Sequence, residues 1–261
     1  MIIISEKLNS SIPSSLKLME NGTDEEIRNF IALQCESGAE YLDLNAAMCA
    51  NEKETAKRIA DLIIENGECG IAVDSPSVEV MEEVLEYIGG RCDILINSIT
   101  MTERQENIAL AAKYNAGIIA VLTDESGSPE TAEKRLSNAD EIISRLRNAG
   151  IDDEKIYIDV IAETAAVEDK AAAVALETTR LVREKYKNVH ITCGLSNISF
   201  GLPERKVLNS AFFAAAAVLG MDAPICDITA PSIKKAFASS KVLLGEDDYC
   251  MDYIEEMRSE K

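Results

Sequence analysis

Apolar runs of strand length alternate with amphipathic stretches of helix length eight times along the chain. This alternation constrains the fold more than any other feature. Strands are expected at 2–5, 41–44, 70–73, 94–96, 118–122, 156–158, 189–192 and 225–228. Helices are expected at 24–37, 53–66, 78–88, 104–115, 130–148, 169–187, 204–219 and 232–244. The strands are apolar on both faces, which indicates parallel pairing under a cover of helices. Eight such units predict a closed (β/α)8 barrel, with an open doubly wound sheet as the alternative, because closure is not written in any one segment. Thr23 and Glu26 have the spacing of a capping box. Gly38, Gly67, Gly117 and Gly150 stand where left-handed helix caps are expected. With no Pro- or Gly-rich linker, residues 1–261 are expected to form one domain.

Composition narrows the partners. The 46 acidic residues outnumber 26 basic ones, a formal net charge of −20, and no basic stripe is present. Binding to a bare phosphate backbone is therefore not expected. The seven cysteines, at 35, 49, 69, 92, 193, 226 and 250, are scattered without a CxxC pair. Free thiols in a reducing compartment are the expectation. The Met-Ile-Ile-Ile-Ser-Glu opening lacks the basic flank and length of a signal peptide, and no run approaches a membrane span. A cytoplasmic location follows as the expectation.

Function is concentrated where strands end, since a barrel gathers its βα loops on one face. Glu6 and Asn9, Asp43 and Asn45, Asp74, Asn97, Asp159, Asn197 and Asp227 follow seven of the eight strands. The fifth is followed by Thr123 and Asp124. Single residues of this kind also cap helices, but seven together exceed what capping needs. The stretch after the seventh strand, 194–202, is longer than most strand-to-helix turns, which marks it for a site. It exposes Ser196, Asn197 and Ser199, and Pro203 suits the first position of the following helix. The lone His190 lies at a strand start, away from the mouth, so no zinc ligand set is apparent. No Gly-rich phosphate loop is present. Carboxylates and amides without cations suit a flat heterocycle with adjacent N–H donors.

The motifs Tyr41-Leu-Asp-Leu-Asn45, Val73-Asp-Ser75, Leu95-Ile-Asn-Ser98, Tyr157-Ile-Asp159 and Gly194-Leu-Ser-Asn-Ile-Ser199 occur in the order and spacing of the pterin-binding barrels. Ile4-Ser-Glu-Lys-Leu-Asn9 and Gly220-Met-Asp-Ala223 extend the resemblance over nearly the whole chain. Within that group the sequence is most similar to methyltetrahydrofolate:corrinoid methyltransferases, including the folate module of cobalamin-dependent methionine synthase.

The resemblance implies methyl transfer between N5 of methyltetrahydrofolate and the cobalt of a cobalamin-type corrinoid, with no metal held by the barrel itself. It makes Asn197 the catalytic residue, bonded to N5. Asp159 accepts from the pterin amino and ring N–H groups, and Asp74 and Asn97 hold other ring positions. Asp43 and Asn45 line the floor or rim, and Ser196 and Ser199 support the loop. Arg205 matches an arginine of the acetogen enzymes, and a plain helix-surface charge is an equal reading. The corrinoid is expected on a partner protein, because no Asp-x-His-x-x-Gly motif occurs. Relatives form homodimers, and the apolar 211–218 helix suits an interface or the core. A dihydropteroate synthase would carry a basic residue near the penultimate loop and an Arg-x-His pair at the last strand. Pro224-Ile-Cys-Asp-Ile-Thr-Ala230 has neither. A non-catalytic folate-binding protein would keep the same pocket.

Overall fold

All eight expected strands form and join in parallel, in the order β7-β6-β5-β4-β3-β2-β1-β8. The computed structural model describes residues 1–258. The strands are β1 (Ile4–Ser5), β2 (Tyr41–Leu44), β3 (Gly70–Asp74), β4 (Ile94–Ile99), β5 (Gly117–Val121), β6 (Ile156–Asp159), β7 (His190–Thr192) and β8 (Ile225–Cys226). Closure is made just beyond β7. Ala223 N donates to Ile191 O and Ile225 N to Cys193 O, each at 3.0 Å, and Gly194 forms a parallel bridge with Ile225. The chain is thus an eight-stranded α/β barrel, and the open sheet is excluded.

Helices α1 (Pro13–Asn21), α2 (Asp24–Glu36), α3 (Glu52–Asn66), α4 (Val78–Ile88), α5 (Asn107–Tyr114), α6 (Ala132–Asn148), α7 (Ala171–Lys185), α8 (Arg205–Val218), α9 (Pro231–Leu244) and α10 (Met251–Arg258) cover the strands. The helices α1 and α10 fall outside the expected set. The capping box on α2 is present: Thr23 N donates to Glu26 Oε2 at 2.7 Å and Glu26 N to Thr23 Oγ1 at 3.2 Å. Such a cap is worth about 1 kcal/mol. Among the described residues no helix is long and apolar enough to cross a membrane.

Two layers of apolar packing follow from the two-residue period of a strand. Outward-facing Leu42, Ile71, Ile96, Ile118, Ile158 and Ile191 pack under the helices. Inward-facing Ile4, Ala72, Leu95, Ile119, Tyr157 and Ile225 fill the barrel. The Tyr157 ring lies 4.6 Å from that of His190, whose Nδ1 is 2.9 Å from Asp222 Oδ2. His190 therefore belongs to the strand-start end of the barrel, as expected.

The structure corrects three local expectations. Gly117 is not a cap but the first residue of β5, and a Cβ there would stand 3.0 Å from Leu95 Cδ1 and 3.1 Å from Tyr157 Cε2. Asn115, with φ +54°, takes the left-handed cap instead. Pro203 is not the first residue of α8: Glu204 adopts φ +49° and α8 starts at Arg205. The stretch 194–202 itself contains a 3-10 turn over Leu195–Ser199, tied to the preceding βα loop by Ala165 N donating to Ile198 O at 3.0 Å. Finally, Cys35 and Cys69 are joined as a disulfide, because the end of α2 and the start of β3 bring their Cα atoms to 6.0 Å; Cys49, Cys92, Cys193, Cys226 and Cys250 are free.

Candidate active site

The strand alternation that builds the inner layer also aims the polar residues. Glu6, Asp43, Asp74, Asn97, Asp159 and Asp227 each lie two residues beyond inward-facing Ile4, Tyr41, Ala72, Leu95, Tyr157 or Ile225. Their side chains therefore rise into the mouth above the apolar plug rather than capping helices. All six line one cavity of about 610 Å³ at the strand ends, together with Asn9, Ser196, Asn197 and Arg205. That volume lies in the range of small-molecule sites, roughly 300–1,000 Å³. The fifth strand contributes nothing, since Asp124 is turned into its own loop to accept from Ser126 and Asn138.

Hydrogen bonds tie the floor together. Asp43 accepts from Asn97 Nδ2 at 3.0 Å and from Asn9 Nδ2 at 3.3 Å. Asp74 accepts from Asn45 Nδ2 at 2.8 Å. Asn45 does not line the cavity; Ser10 Oγ and Ala47 N donate to its Oδ1, so it is a brace beneath Asp74. Burial pushes Asp43 above the usual carboxylate range, with neighbouring Asp74 adding to it, and burial raises Asp74 as well. Burial likewise pushes Asp159 up to about 6, against the lowering effect of the Ile161 N–H and the Arg135 guanidinium. A floor of costly, partly desolvated carboxylates is the pattern of a site awaiting hydrogen-bond donors. Among the described residues no group of three or more His, Cys, Asp or Glu side chains is arranged to hold a metal ion.

Asn197 projects from the 3-10 turn into the mouth, and among the described residues its side-chain amide has no hydrogen-bond partner. Gly194 makes room for it: a Cβ on Gly194 would stand 2.8 Å from Asn197 Nδ2. Ser196 Oγ donates to Glu6 Oε2 at 3.0 Å. Ser199 is fully buried and outside the cavity, where it accepts from Arg205 Nε at 3.0 Å. Arg205 also donates to Ser196 O at 2.7 Å and lines the cavity from the start of α8.

Several cavity residues were not among the expected site residues. Lys206 and Asn209, one turn apart on α8, form a wall with Ser232 and Ile233 at the start of α9. Asn209 Oδ1 is buried with no hydrogen-bond partner among the described residues. The i, i+3 spacing of Lys206 and Asn209 was the available signal. Glu6, Asn9 and Asp227 stood among the strand-end residues without being assigned to the site. Arg205 and Lys206 also supply basic groups after the seventh strand, although the last strand still lacks an Arg-x-His pair.

Comparison with known proteins agrees with this geometry. A family model described as pterin binding enzyme matches residues 7–227. Methylcorrinoid:tetrahydrofolate methyltransferase of Eubacterium limosum is 31% identical over 266 residues, covering 100% of this chain and 97% of that one. Methionine synthase of Mycobacterium tuberculosis is 32% identical over 207 residues, covering 74% of this chain and 17% of that longer protein. Dihydropteroate synthase of Yersinia pestis superimposes with a TM-score of 0.67 at 15% identity, covering 94% of this chain and 93% of that one, a likeness of fold. The chain belongs to the pterin-binding enzymes.

Proposed function

We propose that this protein moves a methyl group between N5 of methyltetrahydrofolate and the cobalt of a corrinoid held by a partner protein. The observation that carries the reading is the full-length match to a methylcorrinoid:tetrahydrofolate methyltransferase. The site's chemistry suits the substrate. A pterin edge presents an amino group and ring N–H groups side by side, and Asp159, ionised above about pH 6, offers acceptors for them. Asp74 and Asn97 meet the remaining polar ring positions, with Asp43 and Asn45 fixing their orientation. Asn197 is the group free to reach N5.

When the methyl leaves N5, the C–N electron pair returns to nitrogen, which takes up a proton. The corrinoid supplies the metal centre that accepts the methyl. Asn197 can hold N5 by donating or accepting, because an amide carries both functions, so one side chain serves both directions of transfer. Mixing the protein with methyltetrahydrofolate and Co(I) cobalamin should discharge the Co(I) absorbance, and EDTA dialysis should leave the rate intact. A preparation that binds folate without discharging Co(I) would favour a non-catalytic folate-binding protein. Activity lost to EDTA and restored by zinc would overturn the metal-free barrel.

The corrinoid protein must bring its cobalt over the mouth. Val167 and Phe200 stand exposed, 86% and 67% accessible, on the rim loops that follow β6 and β7, which are joined by the bond from Thr164 Oγ1 to Phe200 O. This rim is where we place the partner. Phe200→Asp is expected to slow transfer to the corrinoid protein while sparing transfer to free cobalamin; equal effects on both would move the docking site elsewhere. The inner face of α8, with Phe212 and Phe213, is buried against α9, whereas Ala211, Ala215 and Val218 are exposed along its outer face. That outer stripe supports the homodimer, for which sedimentation should give twice the 28.4 kDa chain mass; a monomer at micromolar concentration would remove it. The cytoplasmic location belongs to the same reading, supported by the five free thiols, while the Cys35–Cys69 disulfide argues the other way.

A further inference from the structure

We propose that Arg135, a buried cation on α6 outside the cavity, is the positioning residue that holds Asp159 in its ligand-binding geometry. This rests on the assignment of Asp159 to the pterin edge. Arg135 is 1% exposed, the largest fully buried side chain among the described residues. Arginine is almost never buried to this degree unless it is paired and hydrogen-bonded.

Its donors go to the two loops that flank Asp159. Nε donates to Pro129 O at 2.8 Å, in the loop before α6. Nη1 donates to Val160 O and to Ile161 O, both at 2.7 Å, and Nη2 to Glu163 Oε2 at 3.1 Å. The two residues immediately after Asp159 are therefore held by one guanidinium. Ile161 in turn donates its N–H to Asp159 Oδ1 at 2.8 Å. The chain of contacts runs from α6 through the backbone to the carboxylate.

This backbone needs holding. Ile161 adopts φ +62°, a left-handed conformation that a β-branched residue strongly disfavours. Such a conformation persists only when its surroundings over-determine it, and it is concentrated at functional sites. Relaxation of Ile161 would turn its N–H away from Asp159 and release the carboxylate from its aim into the mouth. A rigid planar fork is suited to the task, because its bonds leave in fixed directions, which an ammonium cannot reproduce.

The arginine also acts on Asp159 by charge. The groups that bear on this carboxylate are Arg135 from α6, the Ile161 N–H from the following loop, and the buried Cys193 thiol beyond β7, itself pushed well up and so neutral. Glu163, the ion-pair partner of Arg135, is 39% exposed and offsets part of its charge. Burial raises Asp159 and the cation restrains the rise, so removal of the cation moves Asp159 further up. Folate binding by the ionised carboxylate should weaken as pH falls through about 6 in the wild type. Without the cation, the same weakening should set in at higher pH.

The experiment is calorimetric titration with tetrahydrofolate from pH 5 to 9 for the wild type, Asp159→Asn, Arg135→Gln and Arg135→Lys, each with a melting curve. Arg135→Gln should weaken binding about tenfold at pH 7, the loss of one well-made charge-assisted bond, and displace the acid limb to higher pH. Arg135→Lys keeps the charge and loses the fork, so its limb should stay near the wild-type position while affinity falls severalfold at every pH. A purely structural arginine would lower the melting temperature and leave the limb where it was. If Arg135→Gln does not fold, the lysine variant decides: wild-type affinity throughout would overturn the proposal. Unchanged affinity and limb in a folded Arg135→Gln would do the same. No binding by the wild type would refute the folate reading, and undiminished binding by Asp159→Asn would refute the pterin-edge assignment. Weakened Asp159→Asn beside unaffected Arg135 variants would refute the role of Arg135 alone.

Discussion

Asn197→Ala is expected to slow methyl transfer roughly ten- to a hundredfold while changing folate affinity only modestly. The asymmetry follows from where the charge changes. In the proposed reading the ring is held at its other edge by Asp159, Asp74 and Asn97, which would touch no bond that is made or broken. Asn197, with no side-chain partner among the described residues, is the group proposed to face the nitrogen whose electron pair is exchanged. A hydrogen bond that strengthens there in the transition state is worth about 1.5–3 kcal/mol, which sets the size of the rate loss. Stability should be preserved, because Asn197 is exposed and its loss opens no cavity in the core. Single-turnover kinetics at saturating methyltetrahydrofolate, with a titration and a melting curve, give all three numbers. A folded variant that binds folate and transfers methyl at the wild-type rate would remove Asn197 from the mechanism.

Asp159→Ala should act in the opposite place, on binding. Loss of the carboxylate leaves the pterin amino and ring N–H groups unpaired in a partly dry floor, a cost of about 1.5–3 kcal/mol, or roughly ten- to a hundredfold in Kd. The effect on stability has its own sign. Because the folded protein holds the Asp159 proton more tightly than the unfolded chain, this group destabilises the fold as pH rises from the ordinary aspartate value of 3.8 through about 6. At neutral pH its removal relieves that cost, offset in part by the orphaned Ile161 N–H. The melting temperature at pH 7 is therefore expected not to fall even as affinity collapses. Such opposition between stability and binding is characteristic of functional groups held in unfavourable surroundings. Undiminished affinity for tetrahydrofolate would place the pterin edge elsewhere on the floor.

These two residues were legible before any coordinates, and the reason is local. A strand has a period of two, so a carboxylate two positions past Tyr157 must share the face of Tyr157, whatever the rest of the chain does. Parallel apolar strands followed by helices fix the end of the barrel at which that face opens. The amino-acid sequence by itself therefore determined the eight strands, their common direction, and the ring of Asp and Asn at their ends. Even Asn197 was marked, by a loop too long for its connection.

The tertiary structure decided what depends on contacts between segments distant in the chain. Closure rests on Ala223 and Ile225 reaching Ile191 and Cys193, bonds that no periodicity announces. Asn45 and Ser199 carry the same motifs as their neighbours, yet they brace Asp74 and Arg205 rather than line the cavity, because hydrogen-bond partners are chosen in three dimensions. Lys206 and Asn209 became a wall only when α8 leaned over the mouth. Cys35 and Cys69, 34 residues apart, met because α2 ends where β3 begins. Arg135 reads in sequence as one more charge on an amphipathic helix. Only the packing of α6 against the end of β6 buries it, and burial directs its donors to Pro129 O, to Val160 O and Ile161 O beside Asp159, and to the Glu163 carboxylate.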